Sequence, residues 1–131
     1  MAFYLDADIF LALIKDDDRY KKSAQQFFYK NKDKQFVTST LTCLEIWFYL
    51  HKNNLKDKAL DGIRSVIAIA KVVDYGIEEI EAAVLLAEQH KLTPADAIHA
   101  VIAIGAEGIV SSDNSFDSVK ELKRIHYLKT H

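Results

Sequence analysis

Short apolar runs alternate along this chain with longer segments in which apolar residues recur every three or four positions. The short runs predict five β-strands, at residues 2–5, 35–39, 72–73, 108–112 and 125–127. The longer segments predict helices at residues 9–14, 19–28, 41–52, 56–70, 77–90, 94–107 and 119–123. Because strands alternate with helices, we expect an α/β protein with three layers, α/β/α, around a central parallel sheet of about five strands.

Two of the predicted helices carry patterns that indicate what they bury. The helix at 41–52 is apolar nearly all round, which is typical of a buried helix. We therefore expect Trp47, Phe48 and Tyr49 in the core, with a surface for a partner as the alternative. In the helix at 56–70, the face that we expect to be buried consists of Leu60, Ile63, Ile67 and Ala70.

Length and composition bound the class of protein. The 131 residues fit one domain, spanning 1–131, with an apolar content of 50% and a formal net charge of −2. This charge excludes a basic surface over the whole chain, so any contact with nucleic acid has to come from a local patch. The one cysteine, Cys43, excludes an internal disulfide. Apolar runs of at most six residues and the lack of a recognisable signal peptide predict a soluble, cytoplasmic protein without a membrane span.

Four carboxylates are the candidate functional residues. Asp6 follows the first predicted strand and Asp113 the fourth, so both lie at the carboxyl edge of the sheet if these strands are neighbours. Glu45 lies in the apolar helix at 41–52, with no Lys or Arg within one turn. Asp96 opens a helix whose small residues let it approach the sheet closely and point the carboxylate inward.

Three of these acids also have an ordinary structural explanation. Asp6 can cap the helix that follows it, because Asp is a favoured N-cap residue. Asp96 can complete a capping box that begins at Thr93, and Asp113 can form an Asx turn. Glu45 has no such explanation, because charged side chains are almost never fully buried unless they are paired.

If the four carboxylates converge, their mutual repulsion has to be relieved. Two like charges about 4 Å apart repel by about 4 kcal/mol at an effective dielectric constant near 20, and several such pairs would cancel most of a domain's net stability. Either some of the acids are protonated or a divalent cation lies among them. An all-oxygen ligand set favours Mg²⁺ or Mn²⁺, and such a cation can activate water and stabilise a phosphoryl transition state.

Short motifs surround these acids in chain order: Leu5-Asp6-Ala7-Asp8, then Ser39 six residues before Glu45, then Asp96-Ala97-Ile98-His99-Ala100, then Ser111-Ser112-Asp113-Asn114-Ser115-Phe116. In this order and spacing the chain resembles the PIN-domain ribonucleases, especially the small VapC-like toxins of prokaryotic toxin–antitoxin pairs. The resemblance covers essentially the whole chain. It implies metal-dependent hydrolysis of RNA phosphodiester bonds, a twisted parallel sheet between helices, a homodimer and inhibition by an antitoxin protein.

The resemblance also implies a role for each matching acid. Asp6 and Asp96 would be the primary Mg²⁺ ligands. Asp113 would be a further ligand, directly or through water. Glu45 would be a supporting acid that holds or aligns the attacking water.

Three more residues border the implied site. Ser39 and Ser111 would be hydroxyls that orient the carboxylates. Ser111 stands where the family commonly has Thr. Asp8 stands where the family often has Asn, which adds negative charge and leaves open whether Asp8 contacts the metal. By contrast, His99 is predicted to be a packed or hydrogen-bonded histidine and not a ligand.

Sites of this family are usually fringed by basic residues that contact phosphates. The basic residues nearest in sequence to the first acids are Lys15, Arg19, Lys21 and Lys22. Between them, Asp16-Asp17-Asp18 is predicted to be a solvated cap of the next helix. With a net charge of −2 this basic fringe is thin, so we expect a modest, salt-sensitive affinity for RNA.

Two alternatives belong to other classes of protein. A phosphatase of the haloacid-dehalogenase type would use Asp6 as its nucleophile, Asp8 as its general acid, and Asp113 with Asp117 as its later pair of acids. That alternative leaves Glu45 unexplained. The second alternative is a PIN-type module that binds a partner without cutting RNA.

Overall fold

The computed structural model describes residues 2–15 and 19–128, so the predicted cap at Asp16-Asp17-Asp18 lies outside the described residues. The strands are β1 (Ala2–Leu5), β2 (Gln35–Ser39), β3 (Lys71–Val73), β4 (Gly108–Val110) and β5 (Arg124–Ile125). The helices are α1 (Ala7–Ile14), α2 (Lys21–Lys30), α3 (Thr40–Lys52), α4 (Ala59–Ile69), α5 (Ile77–Gln89) and α6 (Pro94–Ala103), with 3₁₀ turns at Lys56–Lys58 and Asn114–Ser118.

The five strands form one parallel sheet in the order β3-β2-β1-β4-β5. Strand β1 is central, and a strand buried on both faces has to be apolar along its length, as this one is. Its last residue, Leu5, is in register with Val110, the last residue of β4. The backbone N–H of Asp6 continues this pairing by donating to the carbonyl of Val110 over 3.1 Å. The carboxyl ends of β1 and β4 are therefore adjacent. This is the condition under which Asp6 and Asp113 were expected to lie at the same edge of the sheet.

Helices cover both faces of the sheet, which confirms the three-layer α/β/α architecture. Successive residues of a strand point to opposite faces. On one face, Phe3 and Leu5 pack with helices α1 to α4 in a core that also contains Phe10, Ile46, Leu50 and Val66. On the other face, Tyr4 packs with α6 in a core that also contains Ala100, Ala103, Ile109 and Phe116. Helix α5 completes the second layer by packing on α6.

Helix α3 is only half-buried, so the prediction of a helix buried on all sides is wrong. Leu41, Ile46 and Leu50 are buried, whereas Trp47 is 55% exposed and Phe48 is 63% exposed. An apolar pattern all round does not tell which side faces the sheet. The helix lies in an outer layer, and an outer layer contacts the sheet along one side only.

Helix α4 buries only part of the face predicted. Ala70 is buried and Ile63 packs against the core, but Leu60 and Ile67 are exposed, and Gly62 and Val66 are buried instead. The reason lies in the close approach at Gly62, where an added Cβ would meet Ile14 Cδ1 at 3.2 Å and Leu50 Cδ1 at 3.4 Å. Since the missing side chain lets α4 pack tightly against α1 and α3, the glycine turns inward, and Leu60 and Ile67 turn outward.

The last quarter of the chain contains less helix than predicted. Helix α6 ends at Ala103 and not at residue 107, because the backbone N–H of Glu107 already donates to Ala2 at the start of the sheet. The predicted helix at 119–123 is absent from the described residues, and the nearby 3₁₀ turn ends before it, at Ser118. This segment is instead an irregular connection to β5, in which the side chains of Val119 and Leu122 are buried. Five residues are too few for a stable helix without strong packing.

The longest helices, α3 and α5, have 13 residues each. A helix needs about 20 residues to cross a bilayer. None of the helices within residues 2–15 and 19–128 has both the length and the apolarity that a crossing requires.

Candidate metal centre

Asp6 caps α1 and also reaches the carboxyl edge of the sheet. Its Oδ1 accepts a hydrogen bond of 2.7 Å from the backbone N–H of Ala7, and its Oδ2 accepts one of 2.7 Å from Ser111 Oγ. The residue is only 8% exposed. Burial raises the pKa of its carboxyl, although the charge of His99 and the hydrogen bonds from Ser111 and Ala7 act in the opposite direction.

A buried histidine lies between the carboxylates of Glu45 and Asp6. His99 on α6 is fully buried, and its Nε2 lies 2.5 Å from Glu45 Oε1 and 3.6 Å from Asp6 Oδ1. Burial by itself would lower the pKa of His99, but the Glu45 hydrogen bond and the charges of Asp6, Glu45 and Asp96 together raise it. The prediction that His99 is packed and hydrogen-bonded is confirmed. The Glu45 side chain itself stays 30% exposed, because it lies at the end of this contact nearest the solvent.

Asp96 and Asp113 form a second pair of acids. Asp96 lies in the first turn of α6, where its backbone N–H donates to Thr93 Oγ1 over 3.2 Å. Ser115 Oγ joins the two carboxylates, since it lies 3.5 Å from Asp96 Oδ2 and 2.7 Å from Asp113 Oδ1. Burial and the charge of Asp113 both raise the pKa of the Asp96 carboxyl. Asp113 also caps the 3₁₀ turn that follows it.

One hydroxyl connects the two pairs. Ser111 Oγ donates to Asp6 Oδ2 and accepts a hydrogen bond of 3.0 Å from the backbone N–H of Asp113. The structure therefore brings Asp6 and Glu45 together around His99, and Asp96 and Asp113 together around Ser115, with Ser111 between the two pairs. Within the described ranges, no Lys or Arg forms an ion pair with any of these four carboxylates.

Asp8 and Ser39 differ in how they relate to the site. Asp8 Oδ2 accepts hydrogen bonds from the backbone N–H and the hydroxyl of Ser112, while its Oδ1 is buried without a partner among the described residues. Burial, with the charge of Asp6 adding to it, raises the pKa of Asp8 to about 6. Ser39, expected to orient a carboxylate, instead shares a hydrogen bond of 2.8 Å with Tyr4 Oη. Its link to the acids is therefore indirect.

The basic residues expected near the site have contacts of their own. The Lys15 ammonium lies 4.8 Å from the centre of the Tyr49 ring, and the Arg19 guanidinium lies 4.6 Å from that of Tyr20. Lys21 is half-buried and Lys22 is exposed. Whether these four residues contact RNA stays a prediction.

Arg124 is a basic residue beside the site that the sequence reasoning missed. Its Nη1 donates to the carbonyl of Ser111 over 3.3 Å, and its guanidinium forms a bidentate pair with Asp117 at 2.8 and 3.1 Å. The Asp117 hydrogen bond raises the pKa of Arg124, and the charges of Asp113 and Asp8 add to this effect. Arg124 thus engages both carboxylate oxygens of Asp117, the residue that the phosphatase alternative pairs with Asp113. A search restricted to cations near Asp6 in sequence cannot find a residue more than a hundred positions away.

The donor set fits a hard divalent cation. Potential ligand atoms of Asp6, Glu45 and His99 lie within 4.8 Å of one another, with the His99 nitrogen already bonded to Glu45. The neighbouring Asp96 and Asp113 add only carboxylate oxygens, which are the ligands that Mg²⁺ and Mn²⁺ prefer. Burial raises the pKa of both the Asp6 and the Asp96 carboxyl, so their charged forms are costly unless a positive charge lies nearby.

Comparison with known proteins gives a family and a fold. The sequence model of the PIN domain matches residues 3–122. No curated protein sequence is significantly similar to the chain.

Among solved structures, VapC20 of Mycobacterium tuberculosis, described as a toxin that cleaves the sarcin-ricin loop, has a TM-score of 0.77 at 16% identity, over 91% of this chain and 95% of that one. VapBC2 of Rickettsia felis, bound to promoter DNA, has a TM-score of 0.71 at 17% identity, over 95% and 98%. VapBC-1 of Haemophilus influenzae has a TM-score of 0.72 at 19% identity, over 98% and 100%. At these identities the likeness shows the fold alone.

Proposed function

Since the chain belongs to the PIN-domain family, we propose that it is a metal-dependent ribonuclease that hydrolyses RNA phosphodiester bonds. The observation that supports the proposal is the presence, at the carboxyl edge of one parallel sheet, of two pairs of acids, Asp6 with Glu45 and Asp96 with Asp113, which Ser111 links. Carboxylates collected without a Lys or Arg partner in the described ranges are costly for a fold to keep. A bound divalent cation would offset that cost.

Asp6, Asp96 and Asp113 are the residues that would hold Mg²⁺ or Mn²⁺. When bound, such a cation lowers the pKa of a water ligand and offsets the negative charge that grows on the phosphate. Asp6 is prepared for this role by two hydrogen bonds, from Ala7 and Ser111, which fix both of its oxygens. Ser111 links Asp6 to the Asp113 backbone, and Ser115 is bonded to the Asp113 carboxylate and lies 3.5 Å from that of Asp96.

Glu45 is the residue that would align the attacking water. One of its oxygens is held by His99, and its side chain is 30% exposed, so the carboxylate is both fixed and accessible from solvent. A carboxylate in this position accepts a proton from the water as it attacks phosphorus. The three Asp carboxylates then need to do no proton transfer themselves.

The proposal extends to partners. Several structures with this fold are toxin–antitoxin complexes, and by analogy this chain would be a cytoplasmic toxin that an antitoxin protein inhibits. A homodimer is supported by α3, where Leu44, Trp47 and Phe48 form an exposed apolar strip at helical spacing.

The test is cleavage of a single-stranded RNA by the purified chain with Mg²⁺ or Mn²⁺. We expect Asp6→Asn and Asp96→Asn each to lower the cleavage rate by about 100-fold or more, and EDTA to abolish it. Asp33→Asn is the matched control, because Asp33 is an exposed turn residue and should leave the rate unchanged. Full activity in the two site variants, or in EDTA, would refute the proposal. Failure to bind any divalent metal in calorimetry would favour the non-catalytic PIN module.

A further inference from the structure

Three polar side chains lie in the core behind the carboxylates. Tyr4, Ser39 and His99 are each 0% exposed, and they come from β1, the end of β2 and α6. A buried polar group costs stability unless it is hydrogen-bonded. An apolar core would avoid this cost altogether, so the set needs an explanation beyond packing.

These side chains form a continuous hydrogen-bonded chain that ends on Glu45. Tyr4 Oη lies 2.8 Å from Ser39 Oγ and 2.7 Å from His99 Nδ1. The opposite ring nitrogen, Nε2, lies 2.5 Å from Glu45 Oε1. The Tyr4 and His99 rings also pack edge to face, with centroids 5.7 Å apart and an interplanar angle of 62°. The imidazole is therefore fixed from both sides, and it cannot rotate without breaking a bond.

Glu45 depends on this chain for its position. Its side chain has three rotatable bonds and is partly exposed, so it would otherwise sample several rotamers. Over residues 2–15 and 19–128, His99 is the one hydrogen-bond partner found for its carboxylate. Removing that bond would leave the carboxylate free to move relative to Asp6.

We infer that Tyr4 and His99 are positioning residues which hold the Glu45 carboxylate for the attack of water, an inference that rests on the proposed function. A carboxylate only accepts hydrogen bonds, so Nε2 carries the hydrogen toward Glu45. Nδ1 then pairs with the Tyr4 hydroxyl, and Tyr4 with Ser39. Because both hydroxyls can donate and accept, every member of the chain is satisfied, and one Glu45 oxygen is engaged while the other stays available to the water.

A competing role for His99 is that of a direct metal ligand, since its Nε2 lies near both Asp6 and Glu45. The two roles exclude each other, because a nitrogen that donates a hydrogen to Glu45 has no lone pair left for a metal ion. Nε2 is bonded to Glu45 and lies farther, 3.6 Å, from Asp6 Oδ1, so the geometry favours the hydrogen-bonded role.

The experiment removes one hydroxyl and leaves every carboxylate in place. Tyr4→Phe keeps the ring and the packing, so we expect kcat to fall by about 5- to 100-fold while KM and the Kd for Mn²⁺, measured by calorimetry, stay within about twofold. In the Glu45→Gln background, Tyr4→Phe should have no further effect on kcat. His99→Gln, which can still donate to Glu45, should retain more activity than His99→Leu. Tyr127→Phe, which removes a buried phenol hydroxyl in the opposite core, is the control.

Three outcomes would overturn the inference: an unchanged kcat in Tyr4→Phe, an equal loss in both backgrounds, or a weaker affinity for Mn²⁺ that accompanies the loss. Nuclear magnetic resonance of ¹⁵N-labelled histidine gives a readout that does not require activity. We expect a slowly exchanging, strongly downfield Nε2 proton on His99, which moves upfield in Glu45→Gln. If the wild-type chain cleaves no RNA, the proposed function fails, and this resonance alone decides whether His99 holds Glu45.

Discussion

At the scale of single residues, one acid can have a structural role and a functional role at the same time. Asp6 caps α1 and Asp96 lies in the first turn of α6, and both also face the shared edge of the sheet. A helix N-terminus carries partial positive charge, which stabilises a nearby carboxylate. The fold therefore offsets part of the repulsion among the acids before any cation binds.

The effect of burying a charged carboxyl on the free energy of unfolding should be measurable at Asp8. Its pKa is raised from 3.8 to about 6 by burial and by Asp6, so the folded chain binds this proton more tightly than the unfolded chain. The contribution of Asp8 to the free energy of unfolding therefore falls as pH rises through this range. We therefore expect the free energy of unfolding of Asp8→Asn, relative to that of the wild type, to increase by about 1–3 kcal/mol as the pH is raised from 4 to 8. Urea unfolding in EDTA measures the difference.

The same measurement on Asp33→Asn provides the reference, because Asp33 is an exposed turn residue. A stability difference for Asp8→Asn that is constant from pH 4 to pH 8 would show that the Asp8 carboxyl is not buried as described.

The acids could be recognised from the sequence, whereas the residues that contact them and fix their positions could not. Glu45 stands out because it is a charge within an apolar helix. Tyr4 and His99 look like ordinary core residues, since nothing local shows that their polar atoms meet across 95 positions. Arg124 was missed for the same reason, because its proximity to Ser111 depends on the pairing of β4 with β5.

At the scale of elements, the pairing of β4 with β5 depends on one glycine. A Cβ added at Gly108 would lie 2.9 Å from the carbonyl oxygen of Lys123 and 2.9 Å from Ile125 Cδ1. That carbonyl accepts the hydrogen bond from the backbone N–H of Ile109, so β5 would have to move and lose pairing. We expect Gly108→Ala to lower the free energy of unfolding by about 1–3 kcal/mol, measured by urea denaturation.

Gly105→Ala is the matched control for this prediction. An added Cβ at Gly105 meets nothing within 4 Å, and the residue does not have a positive φ. Its stability should be unchanged or slightly higher, because alanine has less conformational freedom in the unfolded chain. Equal effects at the two glycines would contradict the close approach described at β5.

Periodicity predicted the strands and most helices but not the orientation of the helices. The five strands were recognisable because each apolar run is short and most are bounded by polar residues or glycine. The predicted burial of Leu60 and Ile67 on α4 was wrong, because the pattern of large apolar residues favours the Leu60 side while the packing selects the small residue Gly62. Close helix packing can depend on a position without a side chain. A search for apolar helix faces does not detect such a position.

At the scale of the whole molecule, the exposed apolar strip on α3 is the surface that should mediate self-association. Phe48 is 63% exposed, so a charge placed there should leave the fold intact. We expect Phe48→Asp to weaken homodimerisation by about tenfold or more, because a buried unpaired carboxylate is costly at an interface. Sedimentation equilibrium measures the effect.

Tyr29→Asp is the control for that surface, because Tyr29 is 73% exposed but lies on α2. Equal association constants for wild type and Phe48→Asp would assign the strip on α3 to some contact other than the homodimer.

Asp6, Asp96 and Asp113 are proposed to share one divalent cation. X-ray diffraction from crystals soaked in Mn²⁺, recorded at the manganese absorption edge, tests this arrangement. We expect an anomalous peak bonded to the carboxylate oxygens of these residues, and its loss in Asp6→Asn crystals. Manganese bound only elsewhere on the molecule, or a peak that persists unchanged in Asp6→Asn, would refute the shared site.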